Sequence, residues 1–292
     1  MKRMATLIAV VVMLLGLLSS SARAAFTDIA FNTQTNGILD PVRSFDWANT
    51  GSGAVYKSDG TQYTPGTPLA IGDTLTFTYQ ATLSAFINPG GTAIAGTGLN
   101  AGYEITIVAS LTETVTSFLT DGSIATAAFA TTGGTAKIYY DTTIDANVAA
   151  GTGFEDGLKI LQGTIQPGTN STFTFIFATG VGLGATDIEA IINPTFLDTT
   201  FFLTPGSHLP FSALHDIDFT GELRFPPTDA GTLCFFCGGD NPFADVASDP
   251  AKDFLVDGGN RFTVPEPGSL ILLGSGLLGL AGFLKRKSRR VD

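Results

Sequence analysis

The chain has 292 residues, with 26 acidic side chains against 15 basic ones and a formal charge of −11 at pH 7. An anionic chain of this kind is a poor partner for nucleic acid or an anionic membrane surface, both of which repel it. Its hydrophobic share of 44% excludes an intrinsically disordered chain and is enough to bury a core without disulfide staples.

The first 24 residues have the order of a secretory signal peptide. Lys2 and Arg3 form a positive start, and Leu7 to Leu18 is apolar. Ser19-Ser20-Ser21-Ala22-Arg23-Ala24 then supplies small residues, with Ala22 and Ala24 in A-x-A spacing. Cleavage is expected before Ala25. A retained anchor fits less well, because the apolar stretch is short and the small-residue site follows at once. Between residue 25 and residue 264, seven basic side chains face 24 acids, a formal −17, since three bases lie in the leader and five beyond residue 284. Such a body stays dispersed outside the cell and leaves carboxylates available to divalent cations.

Residues 25–225 read as an all-β body, an antiparallel β-sandwich or jelly roll. Leu75, Phe77, Tyr79 and Ala81 alternate with Thr74, Thr76, Thr78 and Gln80, the period of a half-buried strand. Tyr103 to Ala109 repeats that period, and Ala136 to Asp141, Leu158 to Ile165, Thr172 to Ala178, Phe196 to Leu203 and Ile217 to Phe225 read likewise. Glycine-rich breaks at Asn88-Pro89-Gly90-Gly91, Gly133-Gly134, Gly151-Thr152-Gly153 and Gln166-Pro167-Gly168 separate them. A single helical turn is expected over Thr186 to Ile192, after Gly180-Val181-Gly182-Leu183-Gly184. No 20–50-residue repeat marks a solenoid or propeller.

Trp47, the one tryptophan, sits beside Phe45 and Asp46 and is the candidate for stacking on a sugar; packing in the core is the competing reading. Asp141, Asp145, Glu155 and Asp156 flank one glycine-rich loop and are the candidate ligands for calcium, which takes six to eight oxygens. No EF-hand pattern is present, so solvated loop acids are the alternative. Asp249, Asp253 and Asp257 recur every four residues as a second acidic group. Glu104 and Glu155-Asp156 are the carboxylates nearest to a glycosidase pair. No G-x-S-x-G elbow occurs, and the only histidines are His208 and His215, so nucleophilic catalysis lacks its usual parts. In an extended His215-Asp216-Ile217-Asp218, alternation would turn the imidazole and the carboxylates to opposite faces. Cys234 and Cys237 are expected to pair in an oxidising compartment. Zinc or redox readings of C-x-x-C lack the ligands and the βαβ context they need.

Residues 226–263 are rich in Pro, Gly and Asp and read as a loop-rich end and spacer. Residues 264–292 have three parts in order. These are Val264-Pro265-Glu266-Pro267-Gly268, an uncharged apolar run from Ser269 to Leu284, and Lys285-Arg286-Lys287-Ser288-Arg289-Arg290. As a helix, Gly268 to Leu284 is about 25 Å long, near the lower limit for spanning a bilayer. The basic cluster would stay cytoplasmic by the positive-inside rule, placing the body on the other side. Gly274-Ser275-Gly276-Leu277-Leu278-Gly279 matches G-x-G-x-x-G, but it lies inside the apolar run with no βαβ unit around it, so it is no dinucleotide site.

The tripeptide Pro265-Glu266-Pro267, the apolar run and the stop at Lys285, Arg286, Lys287, Arg289 and Arg290 together resemble the PEP-CTERM sorting signal of bacteria that secrete exopolysaccharide. The resemblance implies recognition by exosortase, a membrane-embedded cysteine transpeptidase, and cleavage near the tripeptide. The protein would be anchored transiently in the inner membrane by its C-terminal helix, then placed on the cell surface or in the extracellular matrix with secreted exopolysaccharide. Phe45-Asp46-Trp47-Ala48, Gly102-Tyr103-Glu104-Ile105-Thr106, Tyr139-Tyr140-Asp141 and Gly151-Thr152-Gly153-Phe154-Glu155-Asp156-Gly157 are similar to segments of the flocculation-associated PEP-CTERM proteins. That resemblance implies a surface or matrix protein that helps cells aggregate in polysaccharide, and the expected function is that of a non-enzymatic matrix protein promoting floc or biofilm formation. A cell-surface carbohydrate-binding module and a polysaccharide-acting hydrolase are the alternatives.

Overall fold

The computed structural model describes residues 25–148, 150–177, 181–185, 188–212, 214–225 and 252–264. One unit spans Phe26–Thr263, and a second takes in Met1–Ala25 and Val264–Asp292. The leader, Pro265 to Pro267, the apolar run, the basic stop and both cysteines lie outside the described residues. Among those that are described, no helix is long and apolar enough to cross a membrane.

The body is all-β and sandwich-like. In chain order its strands are β1 Ala25–Thr27, β2 Ile29–Asn32, β3 Ile38–Val42, β4 Ser44–Trp47, β5 Gly51–Lys57, β6 Thr74–Ile87, β7 Glu104–Thr120, β8 Ile124–Asp141, β9 Leu158–Ile165, β10 Asn170–Ile176, β11 Val181–Ala185, β12 Ile188–Leu197, β13 Phe202–Leu203, β14 Asp216–Phe225 and β15 Phe254–Val264. Twelve form one sheet, and β13, β2 and β3 form a second. The large sheet runs β1-β15-β4-β6-β7-β8-β10-β11-β14-β12-β9, with β5 bridging β15 and β6. Further pairings of β15 with β14 and of β8 with β9 close the ladder into a ring, so edges that would otherwise stay open are hydrogen-bonded.

Alternation explains the core. On β6, Leu75, Phe77, Tyr79, Ala81 and Leu83 point inward and are buried. Phe31 of the small sheet packs on Phe45, Phe86 and Phe202, with ring centroids 5.1–5.5 Å apart. Phe262 lies 5.1 Å from Phe45 and extends this aromatic core to β15. The middle of β6 is not half-buried as its sequence predicts: Thr78 and Gln80 are fully buried too. Thr78 Oγ1 donates to Ala54 O at 3.0 Å, and Gln80 Nε2 donates to Ser52 Oγ at 3.0 Å. The loop after β8 covers the adjoining outer surface, laying Phe154 against Ala54, Tyr56, Val108 and Tyr139.

Four sequence expectations are corrected. The expected helical turn over Thr186 to Ile192 is strand from Ile188 onward, with Ile188, Ala190 and Ile192 buried and Glu189 exposed, a period of two. Pairing with β14 and β9 decides it over local propensity. Phe196 to Leu203 is not one strand: Asp198 caps a turn by accepting from Thr200 N at 2.9 Å, and β13 joins the other sheet. Gly133-Gly134 is no break but lies within β8, where that strand changes partner from β10 to β9. The expected spacer ends in a strand, because Phe254, Val256, Asn260 and Phe262 alternate inward while Leu255, Asp257, Gly259 and Arg261 between them are more exposed.

Candidate functional site

The loop leaving β8 is built by side-chain-to-backbone bonds. Asp141 Oδ1 accepts from Thr143 N at 2.7 Å, and Asn147 Oδ1 accepts from Ala150 N at 3.0 Å. Asn147 N donates to Thr152 O at 2.9 Å, folding the loop back on itself. Gly153 sits at φ +78°, and a Cβ there would lie 2.6 Å from Asp145 O, so the return passes too close for any other residue. Thr106 Oγ1 then donates to Phe154 O at 2.7 Å and pins the loop to β7.

This return gathers three of the four predicted carboxylates. Oxygens of Asp141, Asp145 and Asp156 lie within 4.8 Å of one another. Asp145 and Asp156 are exposed and Asp141 is half-buried. Partial desolvation, then the charges of Asp156 and Asp141, raise the Asp145 pKa above the ordinary aspartate value. Glu155 is not part of the group: it accepts from Lys137 Nζ at 3.2 Å and from Tyr139 Oη at 3.0 Å. Glu155 is drawn to Lys137 and Tyr139, while Asp156 beside it, in the same bend, turns to the cluster. Glu104 lies below the loop and accepts from Asp145 N at 3.1 Å and Ala146 N at 3.0 Å. Burial raises its pKa, with the two backbone donors opposing. Its role here is to hold the loop.

Trp47 is removed from sugar stacking by burial. It is 1% exposed, and its indole N–H donates to Asn260 Oδ1 at 2.7 Å. The second acidic group is not assembled: Asp253 is buried and accepts from Gln62 Nε2 at 2.8 Å, Asp257 is exposed on β15, and Asp249 lies outside the described residues. His215 and Asp216 are together where alternation predicts them apart, with Nδ1 2.8 Å from Oδ2. His215 precedes β14, so strand alternation does not govern its side chain.

A feature the sequence reading passed over is the outer face of β6, β7, β8 and β10. Thr74 pairs with Thr114, Thr76 with Thr112, and Thr114 with Ala130. Across the β8–β10 ladder, Ala128 lies opposite Thr172 and Thr126 opposite Thr174, whose hydroxyls are 3.1 Å apart. These residues are exposed or half-buried, and the rows they form carry hydroxyls and methyls without a charge. The signal was present as alternating threonines in separate strands; the register that aligns them across strands was not.

No curated protein and no solved structure matches the chain. Residues 263–287 match the family model of the PEP-CTERM protein-sorting motif. The match spans the tripeptide, the apolar run and the start of the basic stop, and such motifs direct export and processing by exosortase. The chain carries a PEP-CTERM protein-sorting motif, which implies an exported, cell-surface or extracellular protein.

Proposed function

We propose that the exported body is an adhesive matrix protein, not an enzyme, which promotes cell aggregation in floc or biofilm by holding secreted exopolysaccharide. The sorting motif at residues 263–287 carries the reading, since it implies export to the cell surface, where secreted polymer would be met. The threonine-lined face supports it. An uncharged array of hydroxyls and methyls suits many weak contacts with a polymer of hydroxyls, and the anionic remainder limits nonspecific association. Deleting the gene is expected to abolish flocs while polysaccharide secretion continues; intact flocs would overturn the reading. Purified protein is expected to co-sediment with that polysaccharide without releasing reducing ends. Replacing Thr76, Thr112 and Thr174 with Asp should weaken co-sedimentation about tenfold by desolvation and charge.

The grouped carboxylates favour calcium as the loop's cation. Asp141, Asp145 and Asp156 supply hard oxygen ligands, and calcium there would relieve their mutual repulsion. Asp145→Asn and Asp156→Asn are expected to remove calcium-dependent protection of the loop from proteolysis. Equal cleavage of the parent protein with calcium and with chelator would exclude the role.

A further inference from the structure

Within the sandwich, beneath the 58–73 segment, lies a cavity of about 50 Å³. Water needs roughly 10–15 Å³ and two to four polar partners, so the space would hold several waters but offers them few partners. Its walls are largely Leu69, Leu75, Phe77, Ala127, Phe129 and Phe254. Half-buried Val55, Phe118 and Phe173 pack around it and complete the lining. Glu113 provides the one carboxyl among the described lining residues, and that lining contains no Lys or Arg.

Glu113 is 8% exposed and accepts from Ser171 Oγ at 2.7 Å. A hydroxyl hydrogen bond from Thr131 also acts on the carboxyl. A carboxylate has about four acceptor positions, so two neutral hydroxyls leave both acceptor capacity and negative charge uncompensated. A carboxyl whose charge is unanswered inside an apolar chamber is expensive for folding alone.

We propose that this cavity binds a small primary amine with a short apolar body, its ammonium on Glu113 and its hydrocarbon among the phenylalanines. The ammonium brings both the missing positive charge and N–H donors, whereas an alcohol brings only a donor and a carboxylate adds repulsion. The cavity shares Thr172 with the threonine face, but Glu113 is no part of that face, so failure of amine binding would leave the adhesive reading intact.

The test uses the purified full-length chain in detergent and three probes of similar shape: n-pentylamine, n-pentanol and n-pentanoate. Calorimetry is run in about 0.15 M salt, which screens attraction of any amine to the acidic surface. Pentylamine is expected to bind saturably and more tightly than the other two. Glu113→Gln should weaken it about tenfold or more and abolish its advantage over pentanol. Ala127→Leu, and the milder Ala125→Val should the first not fold, are expected to weaken all three probes by filling the space. No saturable binding by the folded protein, equal binding of pentanol, or amine binding unchanged by these variants would each overturn the proposal.

Discussion

Trp47 meets Phe45 edge to face at 6.1 Å and donates its indole N–H to Asn260 at 2.7 Å, both inside the body. Each contact is structural, so the expected effects are on stability. Trp47→Ala should cost about 3–5 kcal/mol of unfolding free energy by urea titration. Asn260→Ala should cost about 1–3 kcal/mol, since it strands a buried N–H donor. Neither should change polysaccharide co-sedimentation per folded molecule; loss of binding in folded Trp47→Ala would restore the stacking role. Glu113 gives a different signature. Burial raises its pKa, and Ser171 and Thr131 pull it only part of the way back. The folded protein therefore keeps this proton to higher pH than the unfolded chain does. The stability this group contributes is full below its ordinary carboxyl range and is lost as pH rises through the raised value. Glu113→Gln should flatten that decline and be the more stable form at neutral pH. Glu104, also raised by burial, leaves a remaining slope of the same sign. Urea midpoints measured from about pH 4 to pH 8 decide this, and a parent-like slope in Glu113→Gln would contradict it.

At the scale of the element, β8 is the strand that two ladders share. Its first half pairs with β10 and its second with β9, so it must bend where one ladder gives way to the other. Gly134 lies at that bend with φ +147°, and a Cβ there would stand 2.1 Å from Ser110 O. Gly134→Ala is expected to cost at least about 3 kcal/mol, combining backbone strain with a clash that the paired strand cannot relieve. Thermal unfolding checks this, with exposed Gly122→Ala as the control for a turn glycine that meets no neighbouring atom. In sequence the Gly133-Gly134 pair looks like any other glycine break, because what makes it a bend is a second partner strand that no local pattern announces. Strands whose two faces differ, such as Leu75 to Ala81, were legible from their period alone. The second half of β12 and the start of β13 were not, since Phe196 to Leu203 is apolar enough to pass for one element and only the Asp198 turn divides it. The acidic loop was legible as composition. Its geometry was not: the return at Gly153 chose Asp156 over Glu155.

For the whole molecule, the important fact is that the fold and the sorting signal share residues. The motif match begins at Thr263, and Thr263 belongs to β15. It is 3% exposed, its carbonyl accepts from His215 N at 3.0 Å, and its hydroxyl donates to Asp216 O at 3.1 Å. β15 pairs with β14 on one side and with β4 and β5 on the other, so the last strand of the body closes the ring against strands made early in the chain. The sequence concealed this because Asp257, Gly258 and Gly259 interrupt the apolar alternation and mimic a linker. Phe254, Val256 and Phe262 are each 2% exposed or less. Losing three such side chains removes about 5–9 kcal/mol before any ladder hydrogen bond is counted, against a typical total of about 5–15 kcal/mol. A chain ending at residue 253 is therefore expected to be exported unfolded and degraded, whereas one ending at residue 264 should retain a β-type circular dichroism spectrum and resist protease. The same reasoning bounds the processing site. Cleavage before Thr263 would pull a hydrogen-bonded strand end out of the core, so the mature C-terminus is expected at or beyond Thr263, and intact-mass spectrometry of the native protein reads it directly. A stable mature body ending before Phe262 would mean that β15 is dispensable and that the ring is held shut by the other strands.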